Sequence, residues 1–111
     1  MGRLKEKVAI ITGGGGGIGR ATAIRFAEEG ARVIVAEINT DLGEETAQLA
    51  RDAAGNSGGD AVFIETDVTS HESVKNAVSE ALERYGKLDI LHNNAGGSTM
   101  QDGPVTEAPD D

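Results

Sequence analysis

Four short apolar runs alternate along this chain with segments whose apolar residues recur every three or four positions. Val8-Ala9-Ile10-Ile11 comes first, bounded by charge on one side and glycine on the other, the pattern of a strand buried on both faces. Gly17 to Glu29 carries Ile18, Ala21, Ala23, Ile24, Phe26 and Ala27 at helical spacing, and Gly30 stands where a helix commonly ends in a left-handed residue. Arg32-Val33-Ile34-Val35-Ala36 predicts a second buried strand. Asn39 to Ala54 predicts a more polar helix for an outer face, ended by the loop Gly55-Asn56-Ser57-Gly58-Gly59. Ala61-Val62-Phe63-Ile64 reads as a third strand. Thr69 and Glu72 then have capping-box spacing, and Val74, Ala77, Val78, Ala81, Leu82 and Tyr85 recur at helical intervals up to Gly86. Leu88-Asp89-Ile90-Leu91 reads as a fourth short strand, and an irregular segment runs from Asn93 to Asp111.

Strands and helices in strict alternation, with short connections, imply right-handed crossovers and a parallel sheet covered on both faces. The expected architecture is an α/β, Rossmann-type doubly wound sheet with four strands in the order 3-2-1-4 and three helices. A ligand belongs at the switch between strands one and four, outside the carboxyl ends of the strands.

The loop that should hold it contains five consecutive glycines, Gly13 to Gly17, with Gly19 close behind. Placed between a strand and a helix, the run has no domains to link. It suits an anion site instead, because helix-start amides point outward and missing side chains let a pyrophosphate approach the backbone. Several templates match at once. Gly14, Gly16 and Gly19 satisfy G-x-G-x-x-G; Gly13, Gly17 and Gly19 satisfy G-x-x-x-G-x-G; Gly14 and Gly19 also have P-loop spacing, but Arg20 and Ala21 replace the Lys and Ser or Thr that site requires. Glu37 ends the second strand 18 residues after Gly19, where a dinucleotide site wants an acid to accept from the adenosine ribose hydroxyls. Its charge would repel a 2'-phosphate, and neither Gly16 nor Ile38 offsets it, so NAD is favoured over NADP.

Composition narrows the field further. A length of 111 residues and 38% hydrophobic content suit one domain with a modest core. A formal charge of -9 with scattered basic residues argues against nucleic acid or anionic membrane as partner. No apolar run approaches membrane-spanning length, and no cysteine is present, so the expected setting is cytoplasmic; His71 and His92 alone make a poor metal site.

Taken together, Thr12-Gly13-Gly14-Gly15-Gly16-Gly17-Ile18-Gly19, Asp67-Val68 and Asn93-Asn94-Ala95-Gly96 resemble, in order, the T-G-x-x-x-G-x-G, adenine-contacting and N-N-A-G motifs of the short-chain dehydrogenase/reductase family. The resemblance implies a seven-stranded fold whose members move a hydride between a nicotinamide cofactor and an alcohol or carbonyl. It implies that Gly13, Gly16, Gly17 and Gly19 belong to the cofactor turn with Ile18 beside the pyrophosphate, and that Glu37 holds the adenosine ribose. Asp67 would accept from the adenine amino group, Val68 would pack on the ring, and Asn94, Ala95 and Gly96 would border the nicotinamide-side ribose.

One departure stands out. The family's proton donor is a Tyr with a Lys four residues on, but Tyr85 lies on the apolar stripe of its helix and Asp89 stands four residues beyond. Ser98 has no base to pair with. The expectation is therefore the NAD-binding half of such an enzyme, residues 1–111, interrupted before its catalytic residues and inactive by itself. The alternative is a non-catalytic NAD-binding or sensing module. A bare edge on the fourth strand would invite self-association.

Overall fold

Successive residues of a strand face opposite ways, so one apolar run can serve two cores at once. A computed structural model, which describes residues 4–13 and 16–92, places the run in the centre of a sheet. Strand β1 (Val8–Thr12) is buried along its whole length. It is followed by α1 (Gly17–Glu28), β2 (Arg32–Glu37), α2 (Thr40–Ala54), β3 (Asp60–Glu65), α3 (His71–Tyr85) and β4 (Ile90–His92). The strands are parallel and ordered β3-β2-β1-β4, as the alternation predicts.

The two faces divide the apolar residues by parity. Ala9, Ile11, Val33 and Val35 face α1 and α2, meeting Ala23, Ala27, Ala47, Ala50 and Ala54. Val8, Ile10, Ile34 and Ala36 face α3, meeting Ala77 and Ala81. Alanine on the helices lets them lie close to the sheet, while the strands supply the bulk. Each fully buried Ile or Val contributes about 1.5–3 kcal/mol.

Local chemistry sets the element ends. Asn39 caps α2, its side chain accepting from the Leu42 N–H, and α3 ends at the left-handed Gly86. Gly30 has a φ of 99°, and a Cβ there would meet the Lys5 backbone at 3.0 Å. Two sequence expectations are corrected. The α3 cap is Ser70, which accepts from the Ser73 N–H at 3.2 Å, because the chain enters the helix one residue later than the Thr69–Glu72 spacing implies. The fourth strand is Ile90–His92, not 88–91, because Asp89 is used to tie the chain to β1: its N–H donates to the Val8 carbonyl and its carboxylate accepts from the Val8 N–H, both at 2.9 Å.

Candidate functional site

Parallel strands deliver their carboxyl ends to one side of the sheet, and that side carries the site. After Thr12 the chain turns through Gly13, whose φ of 64° lies in the region that favours glycine. The Gly13 N–H donates to the Ala36 carbonyl at 2.9 Å, lashing the turn to β2. Gly16 N–H returns to the Gly13 carbonyl at 3.3 Å and the chain enters α1. Asn39 and Ser70 cap the other two helices, but α1 has neither a side-chain cap nor an acid in its first turn. Among the described residues no side chain takes up its opening amides, and the dipole there is of the sign that favours an anion.

The residues at that helix start divide in use. Gly16, Gly17 and Ile18 are exposed, Ile18 at 73%, while Gly19 is buried. Arg20, where a P-loop would carry its Lys, is turned onto α2 instead: Nε donates to Thr46 Oγ1 at 2.9 Å and the guanidinium pairs with Glu45 at 3.0 Å. That geometry removes the NTPase reading.

Beside the turn lies a cleft of about 350 Å³ lined by Gly13, Ala36, Glu37, Ile38, Thr66, Asp67, Val68 and Thr69. The fold thus brings Gly13, Glu37, Asp67 and Val68 together from three separate strand ends. Gly16 to Gly19 adjoin this group through the Gly13 turn without lining the cleft. Asn94, Ala95 and Gly96 lie outside the described residues. Glu37 closes β2 with a carboxylate that accepts from the Asn39 N–H at 2.9 Å, and its carbonyl accepts from Thr66, joining the two acidic loops. Gly43 packs so tightly on Phe63 and on Glu37 Cβ that an added methyl would run into the Phe63 ring.

Asp67 is held from both sides. Its N–H donates to Ser73 Oγ at 2.8 Å, and its Oδ1 accepts from the Thr69 N–H at 2.9 Å and the Thr69 hydroxyl at 2.6 Å. The Thr69 hydroxyl and then the Thr69 amide keep its carboxyl below the ordinary carboxylate range. Ile38 and Val68, both exposed, give the cleft apolar edges. Sequence reasoning missed Ala36, Thr66 and Thr69 as lining residues and weighed Ile38 only as a position that lacks a basic residue for a 2'-phosphate. The D-x-T spacing was the available signal for Thr69, since a short polar side chain readily bonds within its own turn.

The lone tyrosine is at the opposite end of the sheet. The Tyr85 hydroxyl donates to Asp60 Oδ2 at 3.3 Å and Arg32 lies 5.9 Å from its ring, both at the amino ends of their strands. Burial, with help from the Asp60 charge, pushes the phenol up to about 12. Among the described residues no cluster of metal-ligating side chains occurs, and no helix is long and apolar enough to cross a membrane.

A family model described as short chain dehydrogenase matches residues 7–111. The chain belongs to that family. It is 47% identical over 111 residues to the uncharacterized oxidoreductase YxbG of Bacillus subtilis, covering 100% of this chain and 39% of that one. Glucose dehydrogenase of Caenorhabditis elegans matches with a TM-score of 0.74 and 46% identity over 86% of this chain and 40% of that one. A xylitol dehydrogenase solved with NAD+ bound matches with a TM-score of 0.76 and 38% identity over 85% and 35%. The chain thus spans about two fifths or less of the relatives it resembles, and the fold it shares with them is an NAD(P)-binding one. The strand order β3-β2-β1-β4 is that of the short-chain dehydrogenase fold.

Proposed function

We propose that residues 1–111 form the cofactor-binding half of a short-chain dehydrogenase/reductase that oxidises or reduces a small alcohol or carbonyl compound with NAD. The observation that carries this reading is the cleft in which Gly13, Glu37 and Asp67 converge from the ends of β1, β2 and β3. Its size and its pairing of two carboxylates with apolar edges fit an adenosine: an acid for the ribose hydroxyls, an acid for the exocyclic amine, and Val68 for the ring face. The uncapped start of α1 fits the pyrophosphate. When bound, the dinucleotide supplies the hydride donor or acceptor; the residues of this chain bind and orient it.

NAD is preferred over NADP because, among the eight described residues that line the cleft, none is basic while two are acidic. A ribose 2'-phosphate would face the Glu37 carboxylate with nothing to offset it. Proton transfer to or from the substrate is assigned to residues outside this sequence. Tyr85 serves poorly as a donor, since its hydroxyl is bonded to Asp60 at the wrong end of the sheet and its acidity is lowered rather than raised. With that assignment, residues 1–111 bind cofactor and do not turn over substrate.

Isothermal titration with NAD and NADP tests the reading. The expected result is saturable NAD binding at least about tenfold tighter than NADP, the least that one unfavourable close charge contact should give. The paired change Glu37→Ser, Ile38→Arg should invert that order. Equal affinity for both dinucleotides would remove the assigned role of Glu37, and no binding of either would remove the cofactor reading altogether.

A further inference from the structure

The loop from β3 into α3 is tied by a set of hydrogen bonds within its own turn. Ser70 caps the helix by accepting from the Ser73 N–H at 3.2 Å; Ser73 Oγ accepts from the Asp67 N–H at 2.8 Å; and the Ser70 N–H donates back to the Asp67 carbonyl at 2.9 Å. These bonds hold the Asp67 backbone. They do not set the direction of its carboxylate. That is done by Thr69 alone, whose N–H and hydroxyl both end on Oδ1, at 2.9 and 2.6 Å. Oδ2 has no hydrogen bond among the described residues, and both Asp67 and Thr69 line the cleft.

We propose that Thr69 is a positioning residue for base recognition: by engaging Oδ1 of Asp67 it leaves Oδ2 as the one acceptor for the exocyclic amine of the adenine. The proposal rests on the cofactor reading above and adds to it the group that makes the cleft selective for an amino purine. The physical argument concerns preorganisation. An exposed aspartate samples several rotamers, and a base that must first select one binds more weakly by that fraction. Two donors on one oxygen remove the choice before the ligand arrives. The same donors keep the carboxyl ionised, so it cannot offer a proton to the base. A hypoxanthine, which carries a carbonyl where adenine carries the amine, would meet an acceptor with an acceptor.

The test compares NAD with nicotinamide hypoxanthine dinucleotide, titrated into the full chain and into Thr69→Val and Thr69→Ser. Valine keeps the shape and the backbone N–H but removes the hydroxyl bond; serine restores it. The expected result is a preference for NAD in the parent that falls about threefold to tenfold in Thr69→Val, as one charge-assisted hydrogen bond implies, and returns in Thr69→Ser. The hypoxanthine affinity should stay nearly constant across the three. If Thr69→Val weakens both dinucleotides equally, Thr69 merely supports the loop and the proposal fails. An unchanged preference in Thr69→Val also refutes it. If the parent binds neither dinucleotide, the cofactor reading has failed first, and the Thr69 proposal falls with it.

Discussion

Replacing Gly59 by alanine perturbs a point where three elements meet. Gly59 precedes β3, and a Cβ built on it would run into the Ala27 carbonyl oxygen, lie 2.8 Å from the Ala31 carbonyl oxygen and 3.1 Å from Ser57 Oγ. Carbonyl oxygens cannot turn aside as a side chain can, so the backbone must shift. Two bonds stand in the way of that shift: Asp60 N–H to the Ala31 carbonyl at 3.1 Å, which opens the β2–β3 ladder, and the Ser57 hydroxyl to the Ala27 carbonyl at 2.9 Å. Losing both costs about 2 kcal/mol at about 1 kcal/mol each. Overpacking adds about 1 kcal/mol or more. The reduced freedom of the unfolded chain returns about 0.4–1 kcal/mol. The net expectation is a loss of about 2–3 kcal/mol, which lowers the melting temperature of a domain this size by roughly 10–20 °C. Gly86→Ala is the comparison. Gly86 is left-handed, at a φ of 81° and ψ of -2°, but has open space around its Cβ position, so only the left-handed conformation is penalised, by about 1–2 kcal/mol. Thermal unfolding followed by far-ultraviolet circular dichroism reads both variants. A Gly59→Ala protein that melts no lower than Gly86→Ala would refute the carbonyl contact as the reason for glycine.

Asp89→Ala should cost about 1–3 kcal/mol in chemical denaturation, because it strands the buried Val8 N–H. Desolvation pushes the Asp89 carboxyl up, but the Val8 N–H and Lys87 more than offset it and the net shift is downward from 3.8. A depressed carboxyl contributes stability above its ordinary value and loses it as pH falls through the folded value, so the deficit of the variant should shrink below about pH 4. For Tyr85 the sign is opposite. A phenol raised from 10.0 to about 12 contributes stability that is whole below pH 10 and lost as pH rises toward 12. Tyr85→Phe should differ from the parent by about 1 kcal/mol or less at pH 7 and should lose less stability than the parent across the alkaline window. Gly13→Val places a β-branched residue at a φ of 64°, where it costs at least about 1–2 kcal/mol, and should weaken NAD binding as seen by titration calorimetry.

The sequence by itself determined the elements, their order and the motifs, because these depend on local properties. The run Val8-Ala9-Ile10-Ile11 is apolar at every position, and only a strand covered on both faces accepts that. Glycine at 30 and 86 marks helix ends because both adopt positive φ. The acid at Glu37 is legible from its offset, since strand and helix lengths set where the second strand must end. What the tertiary structure decided are the choices between near-equal local options. Thr69 and Ser70 are both competent helix caps. The fold gives the cap to Ser70 because the Thr69 hydroxyl is already taken by Asp67 in the turn before it. Leu88 and Asp89 pattern like a strand with Ile90 and Leu91, but the buried Val8 amide claims the Asp89 carboxylate, and the ladder to β1 starts two residues later, at Ile90. Ile38 and Thr66 carry no motif, and the capping-box and D-x-T spacings of Thr69 say nothing of a cleft. All three line the cleft because parallel strands bring the ends of β2 and β3 side by side; the alternation of elements foretold that adjacency, but which side chains then face the cleft depends on the path the chain takes beyond each strand end, which no local pattern encodes.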